Sequence, residues 1–298
     1  MIVSNVDEGT VVVGNPAWVV GKREMPSVLI LTYNEAVNIA DCIASIPWRE
    51  QIYVLDSEST DGTAKIAEEM GAVVVTRPFT DYADQRNFGL TLAGLDEWIV
   101  MLDADERMTR DLAAEIEHHI ETADASVAMF RVRRKDLFLD RWLRRSSGYP
   151  TWFPRVFRRG RVLVERKVNE SYRADGSAKE LEGHILHFPF NKGLDWWLER
   201  HNRYSTMEAR LIRGTPITLR AVRCLVSRDP GARREAQKNL AYRIPGRPFL
   251  VFIYLYIVRL GILDGAAGYQ FACLRLAYEI MIDAKAAHSS YYDASPKT

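Results

Sequence analysis

Four carboxylates stand where apolar runs give way to polar turns: Glu35, Asp56, Asp103 and Asp105. Glu35 closes Thr32-Tyr33-Asn34-Glu35 after Val28 to Leu31. Asp56 ends Ile52-Tyr53-Val54-Leu55, and Asp103-Ala104-Asp105-Glu106 ends Trp98 to Leu102. Hard divalent ions such as Mg²⁺ or Mn²⁺ take oxygen ligands, usually a few protein carboxylates completed by phosphate oxygens and water. Two aspartates flanking one small residue suit that chemistry, and a departing diphosphate needs the charge such an ion supplies. In isolation a D-x-D often only decorates a loop. Its place directly after an apolar strand, with Asp56 at the end of another, favours the chemical reading.

The elements that must position these side chains follow a βα rhythm from Ser27 onward. A first strand at Val28 to Leu31 leads to a helix with Ile39, Ile43 and Ile46 on one face. Ile52 to Leu55 leads through Asp56-Ser57-Glu58-Ser59-Thr60-Asp61-Gly62 to a helix over Thr63 to Met70, stopped by Gly71. Ala72 to Val75 reads as a third strand, Asp84 to Leu92 as a helix, Trp98 to Leu102 as a fourth strand and Asp111 to Ile120 as a helix. Val127 to Val132 adds a possible further strand. Strands alternating with helices predict an α/β fold, a mostly parallel sheet covered on both faces, with its polar loops gathered at the carboxyl edge where ligands bind. Beyond Ala125 the regularity breaks. Arg131 to Arg173 is rich in Arg, Trp, Tyr and Phe, as a region facing a second substrate would be. Helical periodicity returns over Leu194 to Leu211 and Thr218 to Tyr242, followed by apolar stretches Phe249 to Val258 and Phe271 to Ile282.

Composition removes several classes. A net charge of +1 gives no overall basic field, so no nucleic-acid partner is expected. Cys42, Cys224 and Cys273 are too few and too scattered for a disulfide framework or a zinc ribbon, and suit a reducing cytoplasm. No basic n-region with an apolar h-region opens the chain, and no uncharged run approaches the roughly 18 residues of a bilayer span. The expectation is a protein neither secreted nor integral. A phosphate-binding G-x-x-x-x-G-K-[ST] loop, a dinucleotide glycine fingerprint and a G-x-S-x-G elbow are all missing, which argues against P-loop, nicotinamide and α/β-hydrolase chemistry.

The segments SVLILTYNEAVNIADCIASI, IYVLDSESTDGT, YADQRNFGL and WIVMLDADE, in this order and spacing, resemble the family-2 glycosyltransferases of the GT-A fold. The resemblance continues through GYPTWFPRVFRRG, VNE, HILHF, HNRYSTMEA and RLGILDGAAG, which are similar to the bacterial subgroup containing lipopolysaccharide-core β-glucosyltransferases. It covers about Ser27 to Lys285. It implies a Rossmann-like sheet flanked by helices with a helical, partly amphipathic C-terminal region. It also implies transfer of a hexose from a nucleotide sugar, a UDP-sugar by analogy, with inversion, to a glycan or lipid-linked acceptor with Mn²⁺ or Mg²⁺ as cofactor. By motif, Thr32, Asn34 and Glu35 correspond to the nucleotide-facing end of the first strand, and Asp56 to the partner of the uracil ring. Arg86 falls near the diphosphate. Asp103 and Asp105 correspond to the metal pair, the former also close to the ribose. Glu170 is the candidate general base, in Val168-Asn169-Glu170 where the subgroup usually carries His-Glu.

Each role has a plainer rival. Glu170 either acts as base or pairs with Arg158, Arg159, Arg166 or Arg173. Arg155, beside Trp152 and Phe153, either holds the acceptor, as Trp152 would, or makes a structural ion pair. His184 and His187 alternate on an apparent strand, as packed residues or as ligands. Trp196-Trp197 is helix packing or a sugar platform. Eight basic residues from Arg220 to Arg247 precede the apolar run, so the C-terminal part is either a buried core or an amphipathic element docked on an anionic membrane, where each basic side chain adds roughly 1 kcal/mol. Docking at the inner face of a bacterial cytoplasmic membrane is the expected localisation.

Residues 1–24 resemble the closing coil of a hexapeptide-repeat acyltransferase through GTVVVGNPA. A single coil cannot bury its apolar side without stacked neighbours, so a fusion remnant, a misplaced start or a simple strand pair are the alternatives. The expected organisation is an extension over 1–26, a GT-A domain over 27–190 and a helical membrane-associating region over 191–298. Rival classes are a catalytically idle GT-A-like scaffold subunit, against which the intact aspartates argue, and a sugar-nucleotide pyrophosphorylase, which normally carries a phosphate loop absent here.

Overall fold

The runs Ser27–Thr32 (β3), Ile52–Asp56 (β4) and Trp98–Asp103 (β6) are almost wholly buried, as strands covered by helices on both faces must be. The computed structural model describes residues 10–13, 18–22, 25–48, 51–165, 171–214, 233, 236, 240–242 and 244–288. These form two compact units, residues 1–134 with 150–187, and residues 135–149 with 188–298.

In the first unit, β5 (Val73–Thr76), β4, β3 and β6 lie side by side in parallel, giving the order β5-β4-β3-β6. The sheet then turns antiparallel. β10 (Trp152–Arg158) pairs with both β6 and β8 (Val127–Phe138), and β13 (Ser177–His187) pairs with the short β7 (Glu106–Met108). Helices α1 (Ile39–Ala44), α2 (Thr63–Glu69), α3 (Tyr82–Gly89) and α4 (Arg110–Thr122) complete the βα units. One apolar layer gathers Val28, Ile30, Ile39, Ile43, Leu102, Leu112 and Phe130. The other gathers Leu29, Leu55, Met101 and Phe157. Adjacent residues of β3 thus point to opposite cores, as the two-residue period of a strand requires.

Helix α3 begins two residues earlier than its apolar pattern indicates, because the Asp81 side chain accepts the Asp84 N–H as an N-cap. It ends three residues short of Leu92. At Gly89 a Cβ would lie 2.6 Å from Leu29 Cδ2, so this helix approaches the sheet closely only because the side chain is missing. Strand β8 runs to Phe138, six residues past the predicted end at Val132. In the N-terminal extension, β1 (Thr10–Val13) and β2 (Trp18–Lys22) form an antiparallel pair, the strand-pair alternative raised above. A hairpin of β11 (Val162–Glu165) and β12 (Ser171–Ala174) packs on the Phe157 layer.

The second unit contains β9 (Arg141–Trp142), which pairs with the end of β8, and the long helices α5 (Leu194–Gly214) and α7 (Gly265–Ala287). Between these helices come α6 (Arg247–Ile253), one π-helical turn at Tyr254–Val258 and a 3₁₀ turn at Gly261–Asp264. Lys285 ties α7 to α5 through the Asn202 carbonyl at 2.6 Å and Ser205 Oγ at 2.7 Å. Arg247 of α6 pairs with Glu279 and Asp283 of α7. Trp197 is buried between Phe190 and His201, which is the packing alternative for that residue, while Trp196 lies under Lys192 and Arg200. Most of the predicted helix over Thr218 to Tyr242, with all its arginines except Arg233, lies outside the described residues.

Candidate active site

Parallel register brings the acidic strand ends together: Thr32 is opposite Asp56, and Leu31 is opposite Asp103. Asp56 is almost fully buried, which requires its charge to be hydrogen-bonded. Thr32 Oγ1 donates to its Oδ1 at 2.7 Å, Ser59 Oγ to the same oxygen at 2.5 Å, and Ser59 N–H to Oδ2 at 2.7 Å. A carboxylate offers about four acceptor positions, so one remains for a ligand donor.

The loops after β3 and β4 are laced to each other. Asn34, at φ 52°, donates its N–H to Ser59 Oγ at 2.8 Å and accepts the Thr60 N–H at 2.8 Å. Glu58 also has positive φ, at 59°. Left-handed backbone at non-glycine residues costs energy and concentrates where a loop is held for function. Glu35 donates its N–H to Thr63 Oγ1 at 2.8 Å, and its carboxylate accepts from Asn38 Nδ2 at 2.8 Å. Thr32, Asn34, Glu35 and Asp56 therefore form one interlocked rim.

Asp103 is the centre of a second cluster. Its Oδ1 accepts Arg86 Nη2 at 2.9 Å and its Oδ2 accepts Arg155 Nη2 at 2.8 Å. Burial alone would raise its pKa, but the guanidiniums of Arg86 and Arg155 outweigh that and hold the carboxyl well below the usual carboxylate range. Arg155 also grips the fully buried Glu106, with Nε at 2.9 Å from Oε2 and Nη2 at 2.8 Å from Oε1. Arg155 has this reach because it is the extra residue of a β-bulge: Pro154 pairs with Arg131 and Val156 with Phe130, leaving Arg155 between them. Bulges re-aim side chains beside functional sites. Of the two readings of Arg155, the ion pair is the one present, and the residue also lines the cavity described below.

Arg86 belongs to three consecutive residues of α3 with separate tasks. Gln85 Nε2 donates to Ser57 Oγ at 3.1 Å, Arg86 holds Asp103, and Asn87 exchanges hydrogen bonds with the Val164 backbone at 2.9 and 2.8 Å. This helix thereby joins the β4 loop, the β6 end and the β11 strand.

Asp105 contacts His187 of β13. Its Oδ2 is 3.3 Å from His187 Nε2, and both side chains are largely buried. Antiparallel pairing of His187 with Glu106 makes this contact. Two ligands of one ion at about 2.1 Å and near right angles are about 3 Å apart, so a carboxylate oxygen and an imidazole nitrogen at this spacing fit Mn²⁺ or Mg²⁺, with phosphate oxygens and water completing the shell. Among the described residues no group of three or more His, Cys, Asp or Glu side chains is arranged as a closed metal cage. His184 contributes its carbonyl oxygen, which accepts from Thr109 Oγ1 at 2.9 Å.

Next to Asp103 opens a cavity of about 510 Å³ lined by Arg86, Asp103, Arg131, Arg134, Trp152, Phe153, Arg155 and Tyr172, among others. Trp152 is one of its lining residues. Glu170 lies outside the described residues, two positions before Tyr172 in the chain. Glu106, Arg131, Arg134 and Tyr172 were not singled out from the sequence. The only sequence signal for Glu106 is its place directly after the D-x-D.

A half-parallel, half-antiparallel sheet with acidic strand ends, an arginine-gripped aspartate and a neighbouring cavity defines a GT-A-type glycosyltransferase. The model described as "Glycosyl transferase family 2" matches residues 27–178, and the chain belongs to that family. An "Uncharacterized glycosyltransferase" of Rickettsia felis is 42% identical over 96 residues, 32% of this chain and 34% of that protein. The match therefore spans about a third of that relative's length. The "Lipopolysaccharide core biosynthesis glycosyltransferase LpsC" of Rhizobium meliloti is 29% identical over 192 residues, covering 61% of this chain and 70% of that protein. Among solved structures, glucosyl-3-phosphoglycerate synthase from Mycobacterium tuberculosis in complex with Mn²⁺ and UDP-glucose aligns over 37% of this chain and 44% of its own, at 22% identity and a TM-score of 0.33.

Proposed function

We propose that the chain is an inverting hexosyltransferase that moves a sugar from a UDP-sugar to a lipopolysaccharide-core, lipid-linked or other envelope glycan. The observation that carries this reading is the convergence of Thr32, Asp56 and Asp103 on one sheet edge, with Arg86 on Asp103 and Asp105 beside His187. Thr32, Asn34, Glu35 and Asp56 form the nucleotide rim, where the remaining acceptor position of Asp56 faces a base N–H. Asp103 lies by the ribose and Arg86 by the diphosphate.

Asp105 and His187 would hold Mn²⁺ or Mg²⁺. When bound there, the ion would offset negative charge on the departing nucleoside diphosphate. Both oxygens of Asp103 already face arginine, so Asp105 and His187 would be the principal ligands. Glu170 accepts the proton of the acceptor hydroxyl as its oxygen attacks the anomeric carbon. The bond from that carbon to the diphosphate oxygen breaks on the opposite face, and its electron pair leaves with the nucleotide. A positioned base of this kind contributes roughly 10²- to 10⁴-fold.

A membrane-presented acceptor fits the second unit. No single helix among the described residues is long and apolar enough to cross a bilayer, and the helical segments Arg247–Val258 and Gly261–Ala287 meet at a bend of 70°. Around that bend Phe249, Leu250, Ile253, Ile257, Val258 and Leu263 are exposed. The only acid between Arg247 and Tyr278 is Asp264, which is buried and accepts the Arg145 and Ser146 N–H groups at 2.9 and 2.8 Å. An apolar corner without exposed negative charge suits peripheral docking on the anionic cytoplasmic face of a membrane.

The test is a screen of UDP-sugars for donor hydrolysis and transfer, with and without Mn²⁺. Asp105→Ala should abolish the metal dependence, and Glu170→Gln should lower transfer by at least about 10². Full transfer by Glu170→Gln removes it as base.

A further inference from the structure

Among the described residues, the cavity beside Asp103 is lined by four arginines, Arg86, Arg131, Arg134 and Arg155, and by a single acidic side chain, Asp103. Arg86 and Arg155 are held by Asp103, and Arg155 by Glu106 as well. The Arg134 guanidinium lies over the Phe153 ring at 4.1 Å and pairs with Glu106 at 3.9 Å. Arg131 pairs with Glu180 at 3.0 Å, but both side chains are more than two-fifths exposed, where such a pair is weak and readily exchanged. Trp152, Phe153 and Tyr172 supply apolar and stacking surface around these charges, and the volume of about 510 Å³ is that of a small-molecule site.

We infer that this cavity is an acceptor subsite built for an anionic sugar, one bearing a phosphate or carboxylate, with Arg131 and Arg134 reading the charge and Trp152 packing on the ring. Guanidinium forks match the oxygens of both groups. The assignment rests on the transferase reading and names the acceptor class for it. Arg86 serves the donor diphosphate, whereas Arg131 and Arg134 project from β8 and serve the acceptor.

Binding of glucose 6-phosphate, glucuronate and glucose is followed by intrinsic tryptophan fluorescence, with UDP plus Mn²⁺ titrated separately by calorimetry. Both charged sugars should bind about tenfold or more tighter than glucose, a difference of about 1.4 kcal/mol. Arg131→Gln should weaken the charged sugars about tenfold and leave glucose unchanged, as expected for loss of a charge-assisted pair. Glu180→Gln, which releases Arg131, should tighten them by about threefold, an effect a structural role would not give. Equal affinities for glucose and glucose 6-phosphate, or an Arg131→Gln response equal for all three sugars, would overturn the inference. Competition between glucose 6-phosphate and UDP would also overturn it, because the arginines would then belong to the donor. Failure of UDP to bind, with the charged-sugar preference intact, counts against the transferase reading and not against the anionic site.

Discussion

Arg155 and Glu106 face each other through two hydrogen bonds, of 2.9 and 2.8 Å, in a site where Glu106 has no exposed surface. The same Arg155 nitrogen that bonds Glu106 also bonds Asp103 at 2.8 Å. Glu106 therefore anchors the guanidinium that anchors Asp103. Removing one partner of a buried ion pair strands the other charge, at a cost of about 3–5 kcal/mol. Glu106→Ala should lower unfolding stability by that amount, read from urea denaturation. A loss under about 1 kcal/mol, the range of exposed pairs, would show that the pair is not structural.

Gly89 places α3 against the sheet. A methyl group there would lie 2.6 Å from Leu29 Cδ2, so the fully buried Leu29 side chain would have to shift. Gly89→Ala should cost about 1–3 kcal/mol, as overpacking does. Since α3 carries Arg86, activity should fall with it. A neutral effect on the urea midpoint would mean that the helix can retreat freely.

His201 gives the second unit a dependence on pH. Burial, chiefly, pushes its pKa from 6.5 down to about 4, with Arg200 and Arg275 adding to the shift against the opposing Trp197 carbonyl. The folded chain thus prefers neutral His201, while the unfolded chain takes a proton at its ordinary pKa. Stability from this group is complete above about pH 6.5 and declines as pH falls toward about 4. Thermal melts across that window should show the decline. His201→Phe should flatten it, and an unchanged slope in that variant would assign the effect elsewhere.

The apolar corner of the second unit should be the membrane contact. Phe249→Asp combined with Val258→Asp should reduce co-sedimentation with phosphatidylglycerol vesicles more than about tenfold, because each buried side chain of this size contributes about 1.5–3 kcal/mol. Unchanged sedimentation would place the contact on another surface.

Much of the parallel half was readable along the chain. Val28 to Leu31, Ile52 to Leu55 and Trp98 to Leu102 are short apolar runs closed by polar residues, and their parallel register then makes Thr32, Asp56 and Asp103 neighbours. The antiparallel half was less visible, because its pairings join distant segments. Nothing local to His187 says that it will face Glu106 across β7, which is what brings it to Asp105. Arg155 likewise shows no bulge signal in its own sequence, and its role depends on a register shift against β8. Glu106 reads as one more loop acid until two arginines are seen around it.

The most direct measurement is calorimetric titration of a UDP-sugar into the protein with Mn²⁺ and again with the ion chelated. Binding should be present with Mn²⁺, should weaken at least tenfold on chelation, and should lose its response to the ion in both Asp105→Ala and His187→Ala. Equal affinity with and without Mn²⁺, or no nucleotide binding in either condition, would contradict a metal-assisted donor site at this sheet edge.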